Sequence, residues 1–141
     1  MLDVFLYGKR PSYPHMSVKD TEIWNRFIDK FPTAYKTCQY DFHVGDTAPF
    51  DTTIDGSGVA NQDMLYRLRI DVIGQTDTKV SVIEIKPKAG PSSIGQLQSY
   101  TALYERDKFT NKPIDMILVT DQEMQNMDWL CKDANIKLIV V

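Results

Sequence analysis

Residues 65–86 read LYRLRIDVIGQTDTKVSVIEIK, and this stretch decides the fold. Its apolar residues recur at every second position, which is the period of a β-strand with one buried face. The pattern predicts two strands, over 65–73 and 79–86. Between them, 74–78 combines glycine with small polar residues and predicts a hairpin turn. We therefore expect two neighbouring antiparallel strands of one sheet.

Charged side chains lie on the polar faces of these two strands. Asp71 is on the polar face of the first, and Glu84 and Lys86 share one face of the second. Neighbouring strands lie about 5 Å apart, so the two carboxylates can converge on one point. Such carboxylates repel each other unless a cation lies between them, and oxygen ligands favour Mg²⁺ or, in its place, Mn²⁺. Asp41 or His43 could join them from a preceding strand.

Periodic segments on both sides of the hairpin predict the other helices and strands. The order becomes α-β-β-β-α-β-α-β, which predicts an α/β fold with a mixed central sheet flanked by helices. The four apolar residues 38, 40, 42 and 44 are expected on one face of their strand. In chain order, the other predicted segments are an irregular segment (1–16), a helix that begins near Ser17 and is stopped by Pro32, a strand (37–44), a long surface loop (45–62), a helix from Ser92 or Ser93 to Arg106, a strand (114–120), a helix (124–134) and a last strand (136–141).

Length and composition favour one ordinary globular domain over 1–141, with 43% hydrophobic and 25% charged residues. No apolar run approaches the ~20 residues of a membrane span, so we expect no membrane contact. An acidic N-terminus and only two cysteines predict a cytoplasmic, reducing setting. The net charge of −3 argues against a protein that coats nucleic acid through bulk charge, although a site built from carboxylates also makes a chain acidic.

The hairpin carries a recognisable motif. Ile70-Asp71 followed by Glu84-Ile85-Lys86 resembles the pattern of the PD-(D/E)XK nuclease superfamily, in which an acid ends one strand and Glu-x-Lys lies on the next. Ile70 stands where that pattern has proline. The resemblance implies a restriction-endonuclease-like core.

Two further features extend the resemblance. Gln96 and Tyr100 on the following helix resemble the Gln-x-x-x-Tyr motif of the RecB-like exonuclease branch. The helix-strand-strand-strand-helix-strand order over 17–119 also resembles the superfamily core. The Gln-x-x-x-Tyr motif favours exonuclease or flap-type activity within that superfamily.

The resemblance implies a metal-dependent nuclease that hydrolyses DNA phosphodiester bonds. Asp71, Glu84 and the backbone carbonyl of Ile85 would bind the metal. Lys86 would position or activate the attacking water, or stabilise charge on the phosphate. Glu22 is the candidate for a further acidic ligand from the first helix.

Other residues are implied to contact the substrate. Gln96 and Tyr100, four residues apart on one helix face, would brace the site or touch the nucleic acid. Arg67, Arg69 and Lys88 could contact phosphates, which is the commonest role of basic residues at such interfaces.

Simpler structural explanations exist for the acidic residues. Asp71 could form a salt bridge with Arg67 or Arg69. Glu22 lies in the first turns of a helix, where acids favour the helix dipole. The basic residues could equally form a solvated charged stripe.

Simpler explanations also exist on the helix that follows the hairpin. With Ser93 as the N-cap, Gln96 would complete a Ser-x-x-Gln capping box. Tyr100 could be a core aromatic residue whose hydroxyl is hydrogen-bonded.

Some residues are expected to have structural roles only. Asp41 and His43 are more typical of polar, outward-facing strand residues, and His15 of a surface segment. Three aromatic residues and both cysteines are expected in the core: Trp24, Phe27, Trp129, Cys38 and Cys131.

Several functions stay open within this interpretation. The enzyme could be an exonuclease, a structure-specific nuclease or a dimeric endonuclease, and a small core of this kind suits a phage or mobile-element protein. The alternative is a catalytically idle nucleic-acid-binding or structural protein that retains the nuclease fold. RNA as a substrate and a homo-oligomeric state are both left open.

Overall fold

The computed structural model describes residues 3–46 and 68–141. These residues form a six-stranded sheet and three helices. The elements are β1 (Phe5–Leu6), α1 (Val18–Lys30), β2 (Thr37–Val44), β3 (Leu68–Gln75), β4 (Val80–Ile85), α2 (Pro91–Arg106), β5 (Ile114–Thr120), α3 (Met127–Asp133) and β6 (Ile136–Val140).

The sheet follows the order β1-β2-β3-β4-β5-β6, so each strand pairs with its neighbours along the chain. The pairs from β1 to β4 are antiparallel, and β4, β5 and β6 are parallel. This confirms the mixed α/β sheet flanked by helices. The structure also has a strand that was not predicted, β1, which lies within the segment predicted to be irregular. Two residues are too few to show an alternating pattern.

Helices cover both faces of the sheet. Residues of α1 pack into one core cluster and residues of α2 and α3 into another, while alternate residues of the central strands enter one or the other. We name these the α1-side cluster and the α2-side cluster. Along β4, Ile83 and Ile85 belong to the first, and Val80 and Val82 to the second. By the same alternation, Glu84 faces α2.

The expected single buried face of β2 is wrong. Tyr40 packs into the α1-side cluster, whereas Phe42 packs into the α2-side cluster. The cause is Asp41 between them, which has a φ of 51°. A non-glycine residue in this left-handed region turns the strand, because regular alternation needs extended backbone throughout. The neighbouring strand changes face in the same way, between Ile70 and Val72.

The predicted boundary between β3 and the hairpin turn also shifts. β3 continues through Gly74 to Gln75, and the turn is closed by the bond from Thr76 N to Lys79 O at 3.0 Å. A Cβ at Gly74 would lie only 2.8 Å from the ring of Tyr35, so glycine is needed there for close packing and not for a turn. The predicted loop lies outside the described residues from 47 onward.

The last helix is shorter than predicted and turns one face to solvent. It runs over Met127–Asp133. Trp129, which was expected in the core, is 66% exposed, while Trp24 and Phe27 are buried as expected. The helix has only seven residues, so its apolar periodicity does not define which face is buried. No helix in the described parts of the chain combines the length and apolar character needed to cross a membrane.

Candidate active site

The candidate site lies where β3 and β4 separate. Their backbone pairing runs from Gln75 and Val80 to Val72 and Ile83, and is not continued at Asp71 and Glu84. There, Oδ2 of Asp71 accepts a hydrogen bond from the backbone N–H of Ile85 at 2.8 Å. The side chain of Asp71 thus makes a hydrogen bond to β4 where the backbone pairing of β3 and β4 ends. This bond holds the Asp71 carboxylate toward β4.

Asp71 and Glu84 approach closely enough to share a hydrogen bond when one of them carries a proton. We call these two residues the carboxyl pair. Glu84 is 9% exposed, and its Oε2 is buried without a hydrogen-bond partner among the described residues. The predicted convergence of the two side chains is therefore present in the structure.

Burial raises the pKa of both members of the carboxyl pair. Charge repulsion from Asp71 raises the pKa of Glu84 further. The negative charge of Asp20 also raises the pKa of both carboxyl groups. Because both carboxyl groups resist ionisation, a positive charge bound between them would stabilise their ionised forms.

Lys86 lies at the end of β4, beside the carboxyl pair. Its side chain is exposed, and its positive charge lowers the pKa of Glu84. Its backbone N–H donates to the carbonyl of Val119 on β5 at 3.0 Å. This bond fixes the start of the connection to α2, so the lysine projects from a defined strand end.

Tyr100 approaches the carboxyl pair from α2. It is half-buried, and burial is the main cause that raises the pKa of its hydroxyl. The negative charges of Glu84 and Asp71 raise this pKa further. Gln96, one turn earlier, is exposed and makes no described contact with the pair.

The capping-box explanation for Gln96 is wrong. The N-cap of α2 is Gly90 and its first residue is Pro91, so Ser93 lies inside the helix and is buried. Proline at the first helical position fixes the start of the helix without a side-chain cap. The structural alternative to a role for Gln96 is thereby removed.

Two acids near the start of the first helix, Asp20 and Glu22, have different surroundings. Glu22 is exposed and lines a depression with Pro11 and Asn25, to which neither member of the carboxyl pair contributes. Asp20 is the helix acid whose charge acts on the pair. Helical spacing explains the difference, because Asp20 is one turn before buried Trp24. That spacing could have identified Asp20 from the sequence.

The predicted phosphate-binding residues have three different positions. Arg69 is half-buried, with Nη1 3.6 Å from Oδ1 of Asp41. It does not pair with Asp71 in any described contact. Lys88 is exposed, and its backbone N–H donates to Oδ1 of Asp121 at 2.8 Å. Arg67 lies outside the described residues.

A second group of charged residues lies next to the carboxyl pair. Asp41 contacts His15, His43 and Arg69, and its register position on β2 is opposite Asp71. We call His15, Asp41, His43 and Arg69 the Asp41 cluster. Its members come from three separate segments, so sequence spacing gives no signal that they meet.

The donor atoms of the carboxyl pair fit Mg²⁺. Both groups offer hard oxygen atoms, and Oε2 of Glu84 is buried without a hydrogen-bond partner among the described residues. Among the residues in 3–46 and 68–141, no group of three or more His, Cys, Asp or Glu side chains is arranged to hold a metal ion. At this point the described residues thus offer an ion two carboxylate side chains, those of Asp71 and Glu84.

The fold has a counterpart among solved structures. It is similar to the crystal structure of a repair endonuclease from Pyrococcus abyssi, with a TM-score of 0.51 and 14% identity. The similarity covers 92% of this chain and 49% of that chain, so this chain spans about half the length of that protein. No family model and no curated protein sequence matches the chain. At this identity the likeness shows the fold alone, and that fold agrees with the nuclease-like core expected from the sequence.

Proposed function

We propose that this chain is a metal-dependent nuclease that hydrolyses DNA phosphodiester bonds. The observation that carries the proposal is the carboxyl pair at the point where β3 and β4 separate, with Lys86 beside it. The fold's likeness to a repair endonuclease supports the same class of reaction.

Asp71, Glu84 and the backbone carbonyl of Ile85 would hold Mg²⁺, with Mn²⁺ able to replace it. When bound, the ion supplies Lewis acidity toward the scissile phosphate and makes a bound water easier to ionise. Asp71 is kept in orientation by the Ile85 N–H, so little reorganisation is needed on binding. Asp20 takes the place of Glu22 as the acid from the first helix.

The remaining residues act on the substrate. Lys86 supplies a positive charge beside the pair, where it can orient the attacking water or stabilise negative charge that develops on the phosphate. Tyr100 offers a hydroxyl near both carboxyl groups, and Gln96 is placed one turn away, on the exposed side of α2. Arg69 and Lys88 would contact flanking phosphates.

The test is cleavage of labelled linear, circular, branched and single-stranded DNA with Mg²⁺, Mn²⁺ or EDTA. We expect metal-dependent cleavage that Asp71→Asn lowers by more than about a hundredfold and Lys86→Ala by roughly 10²–10³-fold. The matched surface controls Asp77→Asn and Lys137→Ala should cut like the original chain. Absence of cleavage of every substrate with both metals would contradict the proposal.

The same experiment separates the alternatives. Loss of labelled ends without internal cuts would support the exonuclease assignment, which rests on Gln96 and Tyr100, and relaxation of circular DNA would support an endonuclease. Binding without cleavage would favour the catalytically idle protein. An added RNA substrate tests the choice of nucleic acid, and a cytoplasmic setting remains a prediction.

A further inference from the structure

The chain has two histidines, and both contact the same carboxylate. Nε2 of His43 lies 3.3 Å and Nε2 of His15 lies 3.5 Å from Oδ2 of Asp41. Arg69 approaches the other oxygen of Asp41 at 3.6 Å. Three groups that can carry positive charge therefore surround one negative charge.

One oxygen of Asp41, Oδ2, is the contact that the two imidazole rings share. Asp41 has a side chain that is only 12% exposed, whereas the side chains of His15 and His43 are 56% and 24% exposed. The buried acid therefore holds two imidazoles at the surface, where they can meet a ligand.

Each imidazole has a second nitrogen that is available to such a ligand. Asp41 contacts only Nε2 of each ring, and neither Nδ1 takes part in a hydrogen bond within the described residues. A ring that donates Nε2–H to Asp41 also offers Nδ1–H once it is protonated. The acceptor that suits two such donors beside a guanidinium is an anion with several oxygens.

The cluster lies next to the carboxyl pair. Tyr40 and Phe42 pair with Val72 and Ile70, which places Asp41 opposite Asp71. His43 pairs with Arg69, two residues and roughly 7 Å along the strand from Asp71. An anion on this cluster would therefore be adjacent to a phosphate bound at the pair.

We propose that His15 and His43, held by Asp41 beside Arg69, bind a phosphodiester group of the nucleic-acid strand next to the one that is cut. This inference rests on the proposed function, because it needs a nucleic-acid strand at the carboxyl pair. Among residues 3–46 and 68–141, Asp41 is the charged group in contact with both rings, and Arg69 contacts its other oxygen.

The first test measures binding without cleavage. A fluorescent oligothymidylate is titrated in EDTA, and again in Ca²⁺, at pH 6, within the range in which imidazoles change charge. We expect the double variant His15→Ala/His43→Ala to bind more weakly, by roughly tenfold for each charge-assisted hydrogen bond that is lost. Its log K against log salt slope should fall by about 0.7 for each lost contact.

Two variants control for folding and for bulk charge. His43→Gln keeps a side-chain N–H donor and should retain more affinity than His43→Ala. Lys36→Ala removes an exposed charge at the Asp77 turn, at the other end of β3, and should leave both affinity and slope unchanged. Equal losses of affinity in Lys36→Ala and the double variant would overturn the proposal.

The second test uses the unaltered chain. The ring ¹⁵N and ¹H signals of only two histidines are expected in an NMR spectrum, and His15→Ala assigns them. Adding the oligothymidylate should shift both sets of signals, with the same Kd as in the binding assay. Inorganic phosphate at the same concentration should shift them far less. Equal shifts with free phosphate, or none with the oligonucleotide, would overturn the proposal.

Failure of this inference differs from failure of the proposed function. Cleavage by the original chain together with unchanged affinity in the double variant contradicts only the inference. Loss of affinity in the double variant without cleavage by any metal contradicts only the enzyme. A lowered melting temperature of the double variant with unchanged affinity would show that the cluster merely supports the backbone at Asp41. Absence of oligonucleotide binding by the original chain in both EDTA and Ca²⁺ would also overturn the inference.

Discussion

At Glu84, burial and a neighbouring negative charge act on the pKa in the same direction. Ionisation of a buried carboxyl group costs free energy because the charge is removed from water. Burial raises the pKa of Asp71 for the same reason. The protein therefore keeps, at one point, an arrangement that opposes its own folding at neutral pH and that a bound cation would relieve.

The pH dependence of metal-free stability follows from these raised pKa values. Each carboxyl group binds its proton more tightly in the folded chain, so its contribution to stability is complete below the ordinary values of 3.8 and 4.5. It is lost as pH rises through the raised values. In EDTA, we expect stability of the original chain to fall across this window relative to Glu84→Gln, as measured by urea denaturation at successive pH values. Parallel curves for the two proteins would contradict this.

The acid supplied by the first helix can be identified with a matched pair of variants. Asp20→Asn should weaken Mn²⁺ binding by roughly 10–100-fold, because it removes a charge that acts on both members of the pair. Glu22→Gln removes the same charge two residues away and should change the affinity less than about twofold. Isothermal titration calorimetry measures both. Equal effects would mean that the helix contributes only a general negative potential.

At the scale of single residues, local patterns predicted some positions and missed others. Asp71 and Glu84 could be placed together because one short hairpin joins them. Asp20 could have been found from its helical spacing relative to Trp24. The Asp41 cluster could not, because its left-handed backbone and its contact with His15 depend on tertiary packing.

At the scale of elements, β2 and β3 change face together. Asp41 with its φ of 51° stands opposite Asp71, and each strand contributes to both core clusters on either side of that position. The apolar residues on both sides of this position, Tyr40 and Phe42 on β2 and Ile70 and Val72 on β3, stay buried. Regular alternation would have predicted a single buried face, and only the backbone conformation at Asp41 shows otherwise.

The two glycines Gly74 and Gly95 should respond in opposite ways to alanine. At Gly74 a Cβ would meet the Tyr35 ring at 2.8 Å, so alanine should lower stability by about 1–3 kcal/mol. At Gly95, on the exposed side of α2, nothing lies within 4 Å, and alanine should raise stability by about 0.5–1 kcal/mol. Thermal denaturation followed by circular dichroism measures both. A neutral Gly74→Ala would show that Tyr35 can move aside.

Element types were easier to predict than their ends. The bounds of β2 and β5 agree with the sequence pattern, because both strands are bordered by clear breaks. α2 begins at Pro91, before either predicted serine, since proline can open a helix without a cap. The two-residue β1 and the seven-residue α3 are too short for periodicity to describe.

At the scale of the whole molecule, negative charge is concentrated where it is least favourable for folding. The net charge is −3, and two of the acids are buried against each other. Sites that need such arrangements commonly lower stability in return for function. The stability of this chain should therefore depend strongly on divalent metal.

Metal should raise the melting temperature only when the pair is intact. With free Mg²⁺ at a hundred times its Kd, the original chain should gain about 2.7 kcal/mol, which corresponds to several degrees. Glu84→Gln should lose this gain, yet melt at a higher temperature than the original chain in EDTA at neutral pH. Differential scanning calorimetry gives both values. A Mg²⁺ effect that persists in Glu84→Gln would place the ion elsewhere.

The order of the strands also has a kinetic consequence. Every strand of the sheet pairs with a neighbour in the chain, and β3 and β4 are joined by a short turn. The β3–β4 contacts have the lowest sequence separation in the sheet and form early, because little loop-closure entropy opposes them. During synthesis the hairpin can thus close before β5 and β6 emerge. Asp71 and Glu84 would then meet while still hydrated, and docking of the later helices and strands would remove that water.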